Sequence, residues 1–150
     1  MTRIKNEKGF TLIEVLIVVF IIGLLASVVL VGLGAFRARG RDARRIADLR
    51  SIQNALELYY GKSTSYPTGK FVDMKQNLLD GDIGVKNIPN DPLGGSYQYG
   101  SNGQEYVLGA KLEDSNNSAL KDDIDGSGIA DTFEVECGNA TNDEYYCIAF

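Results

Sequence analysis

Twenty-two consecutive residues, 15 to 36, read "VLIVVFIIGLLASVVLVGLGAF" and carry no charge. Wound as a helix at about 1.5 Å per residue they extend roughly 33 Å, enough to cross a hydrocarbon core of about 30 Å. Ahead of them stands "MTRIKNEKG", with Arg3, Lys5 and Lys8 against Glu7. Positive flanks stay on the cytoplasmic side, so the chain is expected to enter the membrane with its N-terminus inside and to export the rest. One residue breaks the pattern. Glu14 heads the apolar run, and a carboxylate in a transmembrane helix costs roughly 2.5–3.5 kcal/mol even on lenient insertion scales. A chain that keeps it has a partner or a task for it. The competing reading is an ordinary cleaved signal peptide, with the small residues "GLGA" (32 to 35) as the cleavage site. Its apolar region would then be about 7–15 residues, well short of this run.

The 150 residues leave room for one compact unit beyond the anchor. Charge is unevenly distributed along it. Residues 37 to 50, "RARGRDARRIADLR", hold six Arg against two Asp, whereas residues 113 to 144 hold ten acids against Lys121 alone. These blocks read either as an arm and a tip with different neighbours or as two solvated faces. The arginines start directly after the apolar run, which would hold them at a membrane surface and argues against nucleic acid as the main partner. Cys137 and Cys147 are the two cysteines. In an exported chain two cysteines usually pair, whereas in a cytosolic one they would be free buried thiols.

"RDARRIADLRSIQNALELYYG" reads as an amphipathic helix over about 41–60. Ile46, Leu49, Ile52, Leu56 and Tyr59 recur on one face, Arg44, Arg45, Asp48 and Arg50 fall largely off it, and Gly61 is a natural stop. With no breaker stronger than glycine before that point, one helix is expected from about residue 10 to residue 60. "FVDMKQNLL" suggests a short helix, and "NDPLGG" a loop. "SYQYGSNGQEYVLGAKL" reads as a hairpin turning at Asn102-Gly103, and "TFEVE" and "YYCIAF" as two further strands. The expected fold class is α+β: a long N-terminal helix, half transmembrane and half amphipathic, packed on a small antiparallel sheet of three or four strands. The eight tyrosines are expected in sheet and core.

"DIDGSGIADTFE", residues 123 to 134, matches a twelve-residue calcium loop. Asp123, Asp125, Ser127, the Ile129 carbonyl, Asp131 and Glu134 supply oxygens at positions 1, 3, 5, 7, 9 and 12, and Gly128 supplies the sharp turn at 6. A hard cation such as Ca2+ needs such an oxygen cage. An exposed acidic loop without metal is the other reading.

"KGFTLIE", residues 8 to 14, resembles the class III leader junction of type IV pilins and type II secretion pseudopilins. The resemblance implies that prepilin peptidase cuts between Gly9 and Phe10 and methylates the new Phe10 amine, leaving Glu14 as the fifth mature residue. The chain then divides into a leader (1–9), a transmembrane and filament-core helix (10–36), and an exported head (37–150). A charged amine and a carboxylate, each costly alone in lipid, cost far less together. Glu14 of one subunit can therefore neutralise the Phe10 amine of a neighbour in a filament. Other copies and related pilins, the peptidase, the inner-membrane assembly machinery and, before assembly, the membrane itself are the implied partners. The expected location is the inner membrane, then a periplasmic or extracellular filament. "RRIADLRSIQNALELYY" followed by "SYP", and the Pro-x-Asp-Pro run in "IPNDPLGGSYQY", resemble the same family. Departures are the absence of any proline between Phe10 and Pro67, with Gly32 and Gly34 standing in the helix instead, and Leu93 where an aromatic is usual. The segment from Cys137 to Cys147 resembles the disulfide loop of type IV pilins, whereas the Pro-x-Asp-Pro run and acidic loop lean to the secretion branch, whose major subunits carry calcium.

Catalysis has no visible actor. The chain lacks histidine and a Gly-x-Ser-x-Gly elbow, and its carboxylates suggest no cluster beyond the metal-like loop. A structural filament subunit is thus the leading expectation. A secreted calcium-dependent binding module behind an ordinary signal peptide is the alternative, and the mature N-terminus separates the two: Phe10 or a residue near Ala35.

Overall fold

The computed structural model describes residues 9 to 124, 133 to 137 and 144 to 150, with the side chains of residues 30 to 32 left aside. Helix α1 spans Leu12–Ser63, α2 spans Phe71–Asp80, and strands β1 (Gln98–Ser101), β2 (Tyr106–Lys111) and β3 (Tyr145–Ala149) follow, with a 3-10 turn at Ser118–Lys121. The chain divides into two units, Met1–Arg37 and Ala38–Phe150.

In the first unit the apolar run is helical throughout, and its described large side chains, Leu12 to Val29 and then Leu33 and Phe36, are exposed. It is the one helix among the described residues long and apolar enough to cross a membrane. Helicity continues through Gly32 and Gly34, because an unbroken i to i−4 ladder outweighs a cost of about 1 kcal/mol per glycine.

The second unit is built on the other half of α1. Leu49, Ile52, Ala55 and Leu56 are buried at the expected three- and four-residue spacing. The sheet is antiparallel in the order β1-β2-β3. Its register sets Tyr99 opposite Leu108 and Leu108 opposite Ile148. That row packs on the helix stripe together with Phe71, Met74 and Leu78 of α2. Tyrosine hydroxyls then reach the polar margins of the stripe: Tyr97 donates to Asp48 at 2.7 Å, Arg50 donates to the Tyr146 oxygen at 2.8 Å, and Tyr66 and Tyr106 both donate to Glu57. These rings bury while their hydroxyls stay partnered, which is how tyrosine suits so small a head.

Three expectations are corrected. Gly61 does not end the helix: α1 continues to Ser63, and the left-handed residue that turns the chain is Thr64, at φ 55°, whose N–H still donates to the Tyr60 carbonyl at 2.8 Å. The hairpin turn is longer than two residues, since Ser101 pairs with Tyr106. Asn102 closes it by accepting the N–H groups of Gln104 and Glu105 on its side-chain oxygen, and Gly103 takes the positive φ of 92°. The stretch "TFEVE" forms no strand over its described residues. Phe133, Val135 and Cys137 instead pack on the outer face of the sheet, against Val107, Tyr145, Cys147 and Ala149. The alternation in the sequence was a real two-sided pattern. It serves a strap lying across a sheet, not a rung added to its edge.

Candidate functional site

Among the described residues, two sets carry distinct polar chemistry. The first lies at the start of α1. Thr11 precedes the helix and Glu14 is its third residue. The Thr11 N–H and hydroxyl donate to Glu14 Oε2 at 2.8 and 2.7 Å, and the Glu14 N–H donates back to the Thr11 hydroxyl at 3.4 Å. This is a capping box: two backbone donors that the helix cannot satisfy are satisfied by side chains three residues apart. Its signal in the sequence is Thr-x-x-Glu directly before the apolar run. Glu14 therefore has a local structural role within one subunit. Gly9 and Phe10 precede this cap and are exposed.

The second set, unforeseen from sequence, is an ionic hub in the head. Arg45 is only 3% exposed and Asp42 fully buried. Arg45 lies on α1 one turn beyond Asp42, so both point the same way. Arg45 Nη1 donates to Asp42 Oδ1 and to Glu113 Oε1, each at 2.7 Å. Its Nε and Nη2 grip the two carboxylate oxygens of Asp91. Asp42 in turn accepts the backbone N–H groups of Glu113 at 2.9 Å and Asp114 at 3.0 Å. Arg41 pairs with Glu113, and Arg39 with Asp114 at 3.1 Å. The hub joins three stretches of chain: the arm, the Pro-x-Asp-Pro loop and the turn after β2.

Electrostatics follow from the geometry. Burial disfavours the Arg45 charge, but the hydrogen bonds to Asp91, Glu113 and Asp42 outweigh it and hold the guanidinium above its usual range. The hydrogen bonds from Arg41 and then Arg45 lower the Glu113 carboxyl to about 2. The Arg45 hydrogen bond likewise holds Asp91 below the usual carboxylate range. Arg45 held protonated against ionised Glu113 and Asp91 is suited to holding a structure together.

The hub corrects two expectations. The two blocks do not have wholly separate neighbours: three arginines of the first pair with Glu113 and Asp114 at the start of the second. Arg45, placed off the buried stripe by periodicity, is among the most buried residues of the helix. A buried arginine saturated by carboxylates is invisible to a pattern that scores apolar residues only.

Of the proposed calcium ligands, Asp125, Ser127, Ile129 and Asp131 lie outside the described residues. Asp123 and Glu134 are described. Asp123 Oδ2 accepts the Cys147 N–H at 2.9 Å, and Glu134 is exposed at a left-handed φ of 55°. No three His, Cys, Asp or Glu side chains converge on a metal-sized space among the described residues. Cys137 and Cys147 are joined in a disulfide.

No solved structure matches the chain significantly. The family model described as the prokaryotic N-terminal methylation motif matches residues 4–30, and that described as type II secretion system protein G matches residues 37–123. The type II secretion system core protein G of Vibrio cholerae is 32% identical over 73% of this chain and 85% of its own length. That of Aeromonas hydrophila is 31% identical over 67% of this chain and 77% of its own, and that of Escherichia coli K12 26% identical over 87% and 97%. An N-terminal methylation motif, an apolar helix and a helix-on-sheet head that matches over more than half of the chain converge on one conclusion: the chain belongs to the type II secretion system protein G family.

Proposed function

We propose that this protein is a structural subunit of a type II secretion pseudopilus, made as a precursor, cut by prepilin peptidase between Gly9 and Phe10, methylated on Phe10 and assembled through its N-terminal helix. The observation that carries this reading is the succession, in one chain, of the methylation motif at residues 4–30 and the protein G match at residues 37–123. The subunit waits in the inner membrane on α1 and passes from there into a periplasmic filament of its own copies and related pilins, handled by the inner-membrane assembly machinery. In the membrane the Glu14 carboxylate is occupied by its own helix cap. In the filament it turns to the Phe10 amine of a neighbour, exchanging hydrogen bonds from neutral donors for a charge pair in a medium of low dielectric, where such a pair is worth most.

Mass spectrometry of the protein from its native membrane tests the processing step. A methylated Phe10 terminus is expected, together with loss of the cut in Gly9→Leu. An intact Met1, or a terminus near Ala35, would overturn it and return the signal-peptide reading.

The acidic segment is part of the same proposal. Asp123 and Glu134 bracket an oxygen-only donor set with Asp125, Ser127, Ile129 and Asp131, which suits Ca2+ in chemistry. Bound there, the cation would neutralise the mutual repulsion of the carboxylates. Calorimetry at millimolar calcium on the wild type and on Asp125→Ala tests it: binding by the first and none by the second is expected.

A further inference from the structure

Both described ends of the acidic segment are attached to a single residue, Cys147. At one end Asp123 Oδ2 accepts the Cys147 N–H at 2.9 Å, and the Ile124 N–H donates to the Cys147 carbonyl at 3.3 Å. At the other end Cys137 is bonded to the Cys147 sulfur. Residues 133 to 137 leading into Cys137 form the strap across the outer face of the sheet, with Val135 buried and Phe133 half-buried. Their seat is made by missing side chains. A Cβ on Gly100 would collide with the Phe133 side chain and sit 2.9 Å from the Phe133 carbonyl oxygen, and one on Gly109 would lie 3.3 Å from Val135 and 3.2 Å from the Cys147 sulfur.

Among the described residues, the strap is held beyond the disulfide by a small apolar contact and a few side-chain hydrogen bonds. Gln98 accepts the Glu136 N–H at 2.6 Å and donates to its carboxylate at 3.3 Å, both at an exposed position. Tyr145 bonds the same carboxylate. The strap adds no rung to the sheet. Among the described residues its apolar contact is made by Phe133, Val135 and Cys137, whereas the opposite face of the sheet carries the helix stripe and α2. Two faces of one sheet are thus held by unlike means, one by a large core and the other by a small apolar cluster fastened by a covalent bond.

We propose that the Cys137–Cys147 disulfide is a redox latch. It seats the strap, and with it both ends of the acidic segment, only in an oxidising compartment. Its reduction frees the strap while α1 and the β1–β2 hairpin stay folded. Closing the latch takes two electrons and two protons from the thiols and passes them to a dithiol-disulfide oxidant. Dithiothreitol reverses it, delivering two electrons and two protons to Cys137 and Cys147 and closing to its own cyclic disulfide.

The test is limited chymotrypsin digestion of the folded full-length protein in detergent, with and without prior dithiothreitol. Cleavage after Phe133 should accelerate about 10-fold or more on reduction. Cleavage at Tyr59 and Tyr60 in α1, and far-ultraviolet helicity, should stay unchanged. Gly100→Val, which leaves both cysteines bonded but fills the Phe133 seat, should raise cleavage after Phe133 without any reductant and gain little more with it. Equal rates for the oxidised and reduced wild type would overturn the latch. So would parallel acceleration at Tyr59 and Tyr60, because the bond would then be holding the whole head together.

Discussion

Arg45 and Asp91 meet as a two-pronged ion pair, with Nε donating to one carboxylate oxygen and Nη2 to the other at 3.3 Å, and so tie the arm of α1 to the Pro-x-Asp-Pro loop. Asp91 also organises its own loop, accepting the Leu93 N–H at 2.8 Å on its side chain and the Gly94 N–H at 2.9 Å on its carbonyl. One residue therefore shapes a turn and docks it.

Removing Asp91 or Asp42 from the hub leaves Arg45 short of partners in a place water barely reaches. Asp91→Ala should destabilise the folded protein by about 2–4 kcal/mol, and Asp42→Ala by at least as much. Asp42→Ala also strands the Glu113 and Asp114 N–H groups. Denaturant unfolding in detergent measures both. Arg44→Ala, on an exposed side chain 3.8 Å from Asp48, should change stability by less than about 0.5 kcal/mol.

Acid should unfold the head in a definite window. The Glu113 carboxyl is lowered from 4.5 to about 2 in the folded state, and Asp91 is lowered as well. A depressed folded value means that the stabilisation is complete above the unfolded value and is lost as pH falls toward the folded one. The melting temperature should hold steady from neutrality down to about pH 5 and then decline between about 4.5 and 2. Glu113→Gln should flatten that decline.

Glu14→Ala removes both the cap of α1 and the proposed partner of the Phe10 amine. Membrane insertion should persist, because a costly carboxylate has gone. Filament yield in electron micrographs should collapse. Thr11→Val serves as the comparison. It costs about 1 kcal/mol of capping but leaves the carboxylate, and should assemble far better than Glu14→Ala.

Gly109→Leu should destabilise the head by about 1–3 kcal/mol, because Val135 and the Cys147 sulfur already occupy the space. Gly84→Leu, where nothing lies within 4 Å of the added Cβ, reports only the backbone cost of its positive φ of 79°. The loss in the Gly109→Leu melt against wild type reads how tightly the strap is seated, and Gly84→Leu shows what a strained backbone alone costs.

Much of this protein is legible in its sequence because it is local. Residues 15 to 36 dictate an apolar helix, the spacing of Leu49, Ile52 and Leu56 fixes its buried face, and Asn102-Gly103 marks the hairpin turn. Each needs only neighbours within a turn or two. Even the Glu14 cap is written in four letters, although it takes the helix boundary to read them as one.

Only the tertiary structure decided where the charges and the second face of the sheet went. An arginine among six in fourteen residues becomes buried because Asp91 and Glu113 arrive from 46 and 68 residues away, and no local pattern encodes that meeting. The alternation of Phe133, Val135 and Cys137 announced a two-sided segment without saying whether it would pair at an edge or lie across a face. Gly100, Gly109 and the Cys137–Cys147 bond settled that. Periodicity specifies which side of a segment is dry. Which surface dries it is set by long-range contacts that exist only once the chain has closed on itself.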